Sequence, residues 1–179
     1  MSSIAKDLAK QIRIPAYVVT AYMSLGSIVD IVSTTWPVRF HDLRWRLTFD
    51  GMVTGATGTE LLAVLLFLIV AWAALDNIAL GVGFAYSLIA GVAYLCAAAM
   101  FGLDVLQVRG QIAPQQLSQY HVGAAWTIFR MLFSGEMLIV LAVMAFRALR
   151  GLTRAERAAA GPAGSLIVPK PAAAPRVTV

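Results

Sequence analysis

At 179 residues, 60% of them hydrophobic and 13% charged, the chain has a mean hydropathy of +0.79 and too little polar surface for a soluble domain of its size. The formal net charge of +5 does not mark a nucleic-acid-binding protein, because the basic residues fall at helix ends and in the tails rather than in a patch interleaved with exposed aromatics. The one cysteine, Cys96, lies in an apolar run, which excludes a disulfide framework and gives no thiol or zinc motif.

Lys6, Lys10 and Arg13 precede a first apolar run over 14–34. This order is that of a signal peptide, but the run is longer than a usual signal core and has no small-x-small cleavage site, so it reads as an uncleaved first span. Windows of about 20 residues, the length that crosses the hydrocarbon core, give further spans at 55–75, 78–103 and 126–146. Continuous apolar runs without period-two alternation select helices over a barrel. The expected fold is therefore all-α, an integral membrane four-helix bundle over residues 1–157.

The second and third spans are separated only by Asp76 and Asn77, which predicts a tight antiparallel hairpin. The connection before the second span, WPVRFHDLRWRLTFD, mixes aromatics with Arg39, Arg44 and Arg46 and suits a segment lying at headgroup depth. The connection after the third span carries Gly110 and Pro114, which break a continuous helix. Beyond Arg157 the composition shifts to Ala, Pro and Gly, and residues 158–179 read as a disordered tail. With an even number of spans both termini share one side. There Lys6, Lys10, Arg13, Arg147, Arg150, Arg154 and Arg157 outnumber Arg39, Arg44, Arg46 and Arg109 opposite, so both termini are expected in the cytoplasm.

Small residues mark expected packing faces. Ala79, Gly83, Ser87 and Gly91 recur every four positions in the third span, and Gly51 and Gly55 do so at the start of the second. Trp36, Trp45, Trp72 and Trp126 fall near the expected interfaces.

Four ionisable residues lie within the expected spans. Asp30, Glu60 and Arg130 are each about 24 to 26 Å from the inner boundary, so they are expected to form an outer polar cluster to which Arg46 contributes. Glu136, about ten residues from both Trp126 and Arg147, is expected near the midplane, too deep to reach water. It is turned by about 240° from Arg130 on the same helix, so its partner must come from another helix. Failing that, it is expected to stay protonated and donate to a hydroxyl or carbonyl near Tyr22, Ser24 or Ser87.

No HExxH, GxSxG, Walker loop or dinucleotide fingerprint occurs, and GATGTE lacks the Lys-Ser/Thr of a phosphate loop. His41 and His121 have no companion at ligand spacing, so no metal or cofactor site is expected; a pigment or haem subunit is the weakest alternative. The segments PVRFHDLRWRLTFDGMVTGATGTELLAVLLF and LDVLQVR, through Trp45, Arg46, Asp104, Gln107 and Arg109, resemble small four-span bacterial membrane proteins of the HpsJ-like kind, associated with exopolysaccharide production and exosortase systems. The resemblance implies an accessory role without catalysis in the bacterial inner membrane. The leading expectation is a non-catalytic accessory or assembly subunit, in contact with lipid and with other membrane subunits or copies of itself. The alternative is a small proton-coupled transporter or channel working through Glu136.

Overall fold

The structure is a computed structural model that describes residues 3–159, with side chains between Gln11 and Glu156. Four α-helices follow one another: α1 (Ser3–Thr35), α2 (Leu43–Ala73), α3 (Asn77–Val108) and α4 (Leu117–Ala159). All four contain segments long and apolar enough to cross a membrane. The Ala/Pro-rich tail expected over 158–179 lies almost wholly outside the described residues.

The helix ends from α1 to the start of α3 have local causes. α1 stops before Pro37, which cannot continue the hydrogen-bond ladder, and the Thr35 hydroxyl donates to the Ile31 carbonyl at 2.6 Å. Asp42 caps α2, its side chain accepting from the Arg44 amide at 2.8 Å. The α2–α3 hairpin turns through Leu75, whose φ is 56°. The Leu75 amide donates to the Trp72 carbonyl and the Asp76 amide to that of Ala71, the two bonds of a Schellman ending. Asp76 then caps α3 by accepting from the Ala79 amide at 3.0 Å. Short 3-10 turns at Arg109–Gln111 and Pro114–Gln116 bridge α3 to α4.

Two connections are shorter than the sequence suggests. Leu43 to Asp50 form the first turns of α2, so the segment expected at headgroup depth is helical from Leu43 onward, and Asp104 to Val108 complete α3. Hydropathy ends a span where charge begins, whereas a helix continues wherever that charge finds partners, as it does here.

α3 and α4 form the most extensive pair. At their crossing Gly91 and Gly135 bring the backbones together: a Cβ built on either glycine would lie 3.0 Å from the other's carbonyl oxygen. Gly83, Ser87 and Gly91 are all buried on α3, and a Cβ on Gly83 would lie 2.5 Å from Leu68 Cδ2 of α2. Gly51 and Gly55, by contrast, are exposed with open space around them, so they do not pack helices within this chain. Leu68, Leu80, Met131 and Leu138 fill the core between α2, α3 and α4. α1 lies along α2 and makes no extensive contact with α3 or α4. The fold is therefore a three-helix core with α1 laid against one side.

Arg13 pairs with Asp76 at 3.5 Å, and the Asn77 side-chain amide donates to Glu156 at 2.7 Å. These contacts set the start of α1, the α2–α3 turn and the end of α4 at one end of the molecule, here the terminal end. The other two connections form the opposite, distal end.

Candidate functional site

Arg46, Asp50, Val53, Thr57, Glu60, Val64, Leu68 and Ala71 follow one another along α2 at spacings of three and four, the period of a single helix face. From Asp50 onward every one of them is buried. The distal half of this face is polar and the terminal half apolar. Between Arg46 and Glu60 the polar residues run for about 21 Å inside the molecule.

At the distal end Arg46 Nε donates to Asp104 Oδ2 at 3.0 Å, and its Nη2 lies 2.9 Å from Oδ1. Nη2 also donates to Gln107 Oε1 at 3.1 Å, and Nη1 to the Phe40 carbonyl at 2.9 Å. Asp104 and Gln107 stand three positions apart on the last turns of α3, which puts both in reach of one guanidinium. Asp50, one turn along α2 from Arg46, is 2% exposed, and its Oδ2 is fully buried without a hydrogen-bond partner. One arginine thus serves a region with two buried carboxylates.

Further in, Arg130 of α4 donates to the buried Thr57 hydroxyl at 3.1 Å. Glu60, 4% exposed, accepts a hydrogen bond from the Tyr86 hydroxyl of α3 through Oε1. Its carboxylate lines a cavity of about 500 Å³ between α1, α2 and α3, whose walls include Ile31, Val53, Ile89, Ala93 and Tyr94. A smaller cavity of about 250 Å³ continues along the same side past Ser24, Phe67 and Gly83. Both touch Ile28 and Tyr86. They exist because α1 follows α2 while α3 turns toward α4, leaving a lateral cleft between α1 and α3.

The expected polar residues separate into two groups. Glu60 is buried in the polar file and Arg46 and Arg130 reach it half-buried, but Arg46 pairs with Asp104, Arg130 with Thr57, and Glu60 with Tyr86. Asp30 does not join them; it is exposed on α1. Glu136 is also exposed, and among the described residues it has no hydrogen-bond or ion-pair partner. Its direction follows from helix rotation: Ser134 and Gly135 face inward, and the next residue, about 100° further round, faces out. It lies on an outward stripe with Trp126, Phe129, Phe133 and Val140. Tyr22 is 78% exposed on α1, and Ser87 donates to the Gly83 carbonyl instead.

Sequence reasoning missed Asp50, Thr57 and Tyr86 of the file, and Gly135 at the helix crossing. A signal for the first two was present, since Arg46, Asp50, Thr57 and Glu60 share one helical face. Of the residues carrying the family resemblance, Arg46, Asp104 and Gln107 meet, Trp45 donates from Nε1 to the Thr35 carbonyl, and Arg109 is exposed. His41 and His121 are exposed, and among the described residues no three His, Cys, Asp or Glu side chains gather as a metal site. Comparison with protein families, with curated proteins and with solved structures finds no match to this chain.

Proposed function

We propose that the chain is a non-catalytic accessory subunit of a bacterial inner-membrane complex, and that α4 docks a helix of a different subunit along the stripe Trp126, Phe129, Phe133, Glu136 and Val140. The observation that carries this reading is the outward, unpartnered position of Glu136. It stands about 15 Å from Trp126 and about 16 Å from Arg147, in the middle of an apolar stretch. An ionised carboxylate facing hydrocarbon there costs at least about 2.5 to 3.5 kcal/mol, and a donor on a neighbouring helix removes that cost. Stacked rings of Trp126, Phe129 and Phe133 give the same face a rigid apolar contact surface.

Charge complementarity selects the occupant. A two-fold contact between copies through this stripe would set Glu136 against Glu136. A different helix carrying Arg, Lys or a side-chain amide at that depth supplies what the carboxylate needs. The resemblance to HpsJ-like accessory proteins points the same way, and the basic residues near the terminal end favour a cytoplasmic location for both termini. A carrier working through Glu136 finds no support in this arrangement, because the residue faces away from the interior file.

Affinity purification in mild detergent tests the reading. The unaltered chain should retain stoichiometric partners, and Glu136→Gln should retain most of them because the amide still hydrogen-bonds. Glu136→Leu should lose them at least about tenfold, the equivalent of about 1.4 kcal/mol. Unchanged co-purification with the Leu variant would overturn the proposal. Loss of homodimer alone would assign the stripe to a second copy.

A further inference from the structure

We propose that the cleft between α1 and α3 binds a lipid-soluble alcohol, a slender hydrocarbon with a hydroxyl head, and that Glu60 and Tyr94 hold the hydroxyl. The inference rests on reading the four helices as membrane spans, but it is independent of the partner proposed for α4.

The cavity, at about 500 Å³, falls within the usual range for small-molecule sites, roughly 300 to 1,000 Å³. Its walls are apolar apart from four side chains, Ser27, Glu60, Tyr86 and Tyr94. Two of these hydroxyls are committed elsewhere: Ser27 donates to the Met23 carbonyl at 3.2 Å, and Tyr86 to Glu60 Oε1. On the cavity wall two polar groups remain without a hydrogen bond among the described residues, Glu60 Oε2 and the Tyr94 hydroxyl, and neither atom is fully buried. Tyr94 itself is buried in the protein core. Polar groups held in apolar surroundings without hydrogen bonds are costly, so this pair creates a specific demand.

That demand selects the ligand's chemistry. The free carboxylate oxygen needs a donor, and the tyrosine O–H needs an acceptor. A hydroxyl is both; an ammonium can only donate and a carbonyl can only accept. The apolar walls, from Ile31 and Val53 to Ile89 and Ala93, suit a hydrocarbon body.

Charge and access narrow the choice further. A phospholipid head carries a phosphate anion, which Glu60 would repel and which offers no donor to its free oxygen, whereas an uncharged aliphatic or isoprenoid alcohol brings a donor and no charge. Entry is lateral, since α1 does not pack extensively on α3, and Ile28 and Ile89 stand exposed on the two lips of the cleft.

Photoaffinity labelling of the purified full chain in phosphatidylcholine nanodiscs tests this. The probe is hexadecanol bearing a diazirine and a terminal alkyne; the controls are the same diazirine hydrocarbon without the hydroxyl and a diazirine phosphatidylcholine. The alcohol should label cleft residues of α1 and α3, be competed by unlabelled hexadecanol, and exceed either control by about fivefold, the factor given by one net hydrogen bond. Glu60→Leu should remove that excess. Because that variant also breaks the Tyr86 contact, Ala93→Phe serves as a second variant that fills the cleft and leaves Glu60 and Tyr86 in place. It should abolish the labelling without changing helicity by circular dichroism. Equal labelling by the hydrocarbon, preferential labelling by the phosphatidylcholine, or labelling insensitive to both variants would each overturn the proposal.

Discussion

Arg46 of α2 and Asp104 of α3 meet through two parallel contacts, Nε to Oδ2 at 3.0 Å and Nη2 to Oδ1 at 2.9 Å, across 58 positions of sequence. Asp104 is 3% exposed, so it depends on that guanidinium more than the arginine depends on it. Arg46→Met should strand Asp104 and the neighbouring Asp50 without a cation and cost about 3 to 5 kcal/mol, as breaking one side of a buried pair does. Removing the partner as well, in Arg46→Met with Asp104→Leu, should recover much of the loss. The check is reversible unfolding in mixed detergent micelles followed by circular dichroism. A double variant no more stable than Arg46→Met would show that the pairing does not set the stability of this end.

The α3–α4 crossing makes a second, sharply local prediction. A Cβ on Gly91 would meet Ile139 Cγ1 at 2.9 Å and the Gly135 carbonyl oxygen at 3.0 Å, and backbone cannot move aside as a flexible side chain can. Gly91→Val should therefore cost about 1 to 3 kcal/mol through overpacking. Gly55→Ala, on the same kind of four-residue spacing but with open space around it, should be neutral or stabilising by up to about 1 kcal/mol through helix propensity. Unfolding midpoints of the two variants should move in opposite directions, and similar losses in both would refute the distinction.

That contrast shows what could be read from the sequence and what could not. Hydropathy locates four apolar helices and the hairpin at Asp76 because length and composition are local properties. Spacing alone cannot tell which stripe is packed: Gly51 and Gly55 look like Gly83 and Gly91 until the rotation of each helix against its neighbours is known. The same ambiguity governs the charges. The place of Glu136 midway along an apolar run follows from counting residues, but its outward direction follows from Gly135 meeting Gly91. Asp104 looked like the end of a span, because nothing local announces that Arg46 will reach it from another helix.

Leu75 occupies the left-handed region at φ 56° in the hairpin turn, where a branched side chain strains against its own carbonyl by about 1 to 2 kcal/mol. Its side chain is half exposed, so little packing offsets the strain. Leu75→Gly should relieve it while retaining the Schellman bonds, for a net gain of about 0.5 to 1 kcal/mol after the glycine's greater freedom in the unfolded chain. Leu75→Val, branched at Cβ, should lose stability. A destabilised glycine variant in the same unfolding assay would show that the leucine contributes contacts that outweigh its backbone strain.

Asp50 provides the last test, because its position is the least satisfied in the polar file. Arg46 gives its two best contacts to Asp104 and further ones to Gln107 and the Phe40 carbonyl, while Asp50 Oδ2 is buried and receives no hydrogen bond. Asp50→Asn keeps the shape, removes a buried charge and leaves one guanidinium matched to one carboxylate. If the aspartate serves only the bundle, the variant should be more stable by about 1 to 2 kcal/mol, the usual cost of a buried unsatisfied polar group. Asp50→Leu separates charge from hydrogen bonding: it should share the gain if the charge is the problem, and lose it if the asparagine amide has found an acceptor. Loss of stability in the asparagine variant would mean that Arg46 needs both carboxylates, and that the pairing at this end is a three-residue network rather than a salt bridge beside an unpaired acid.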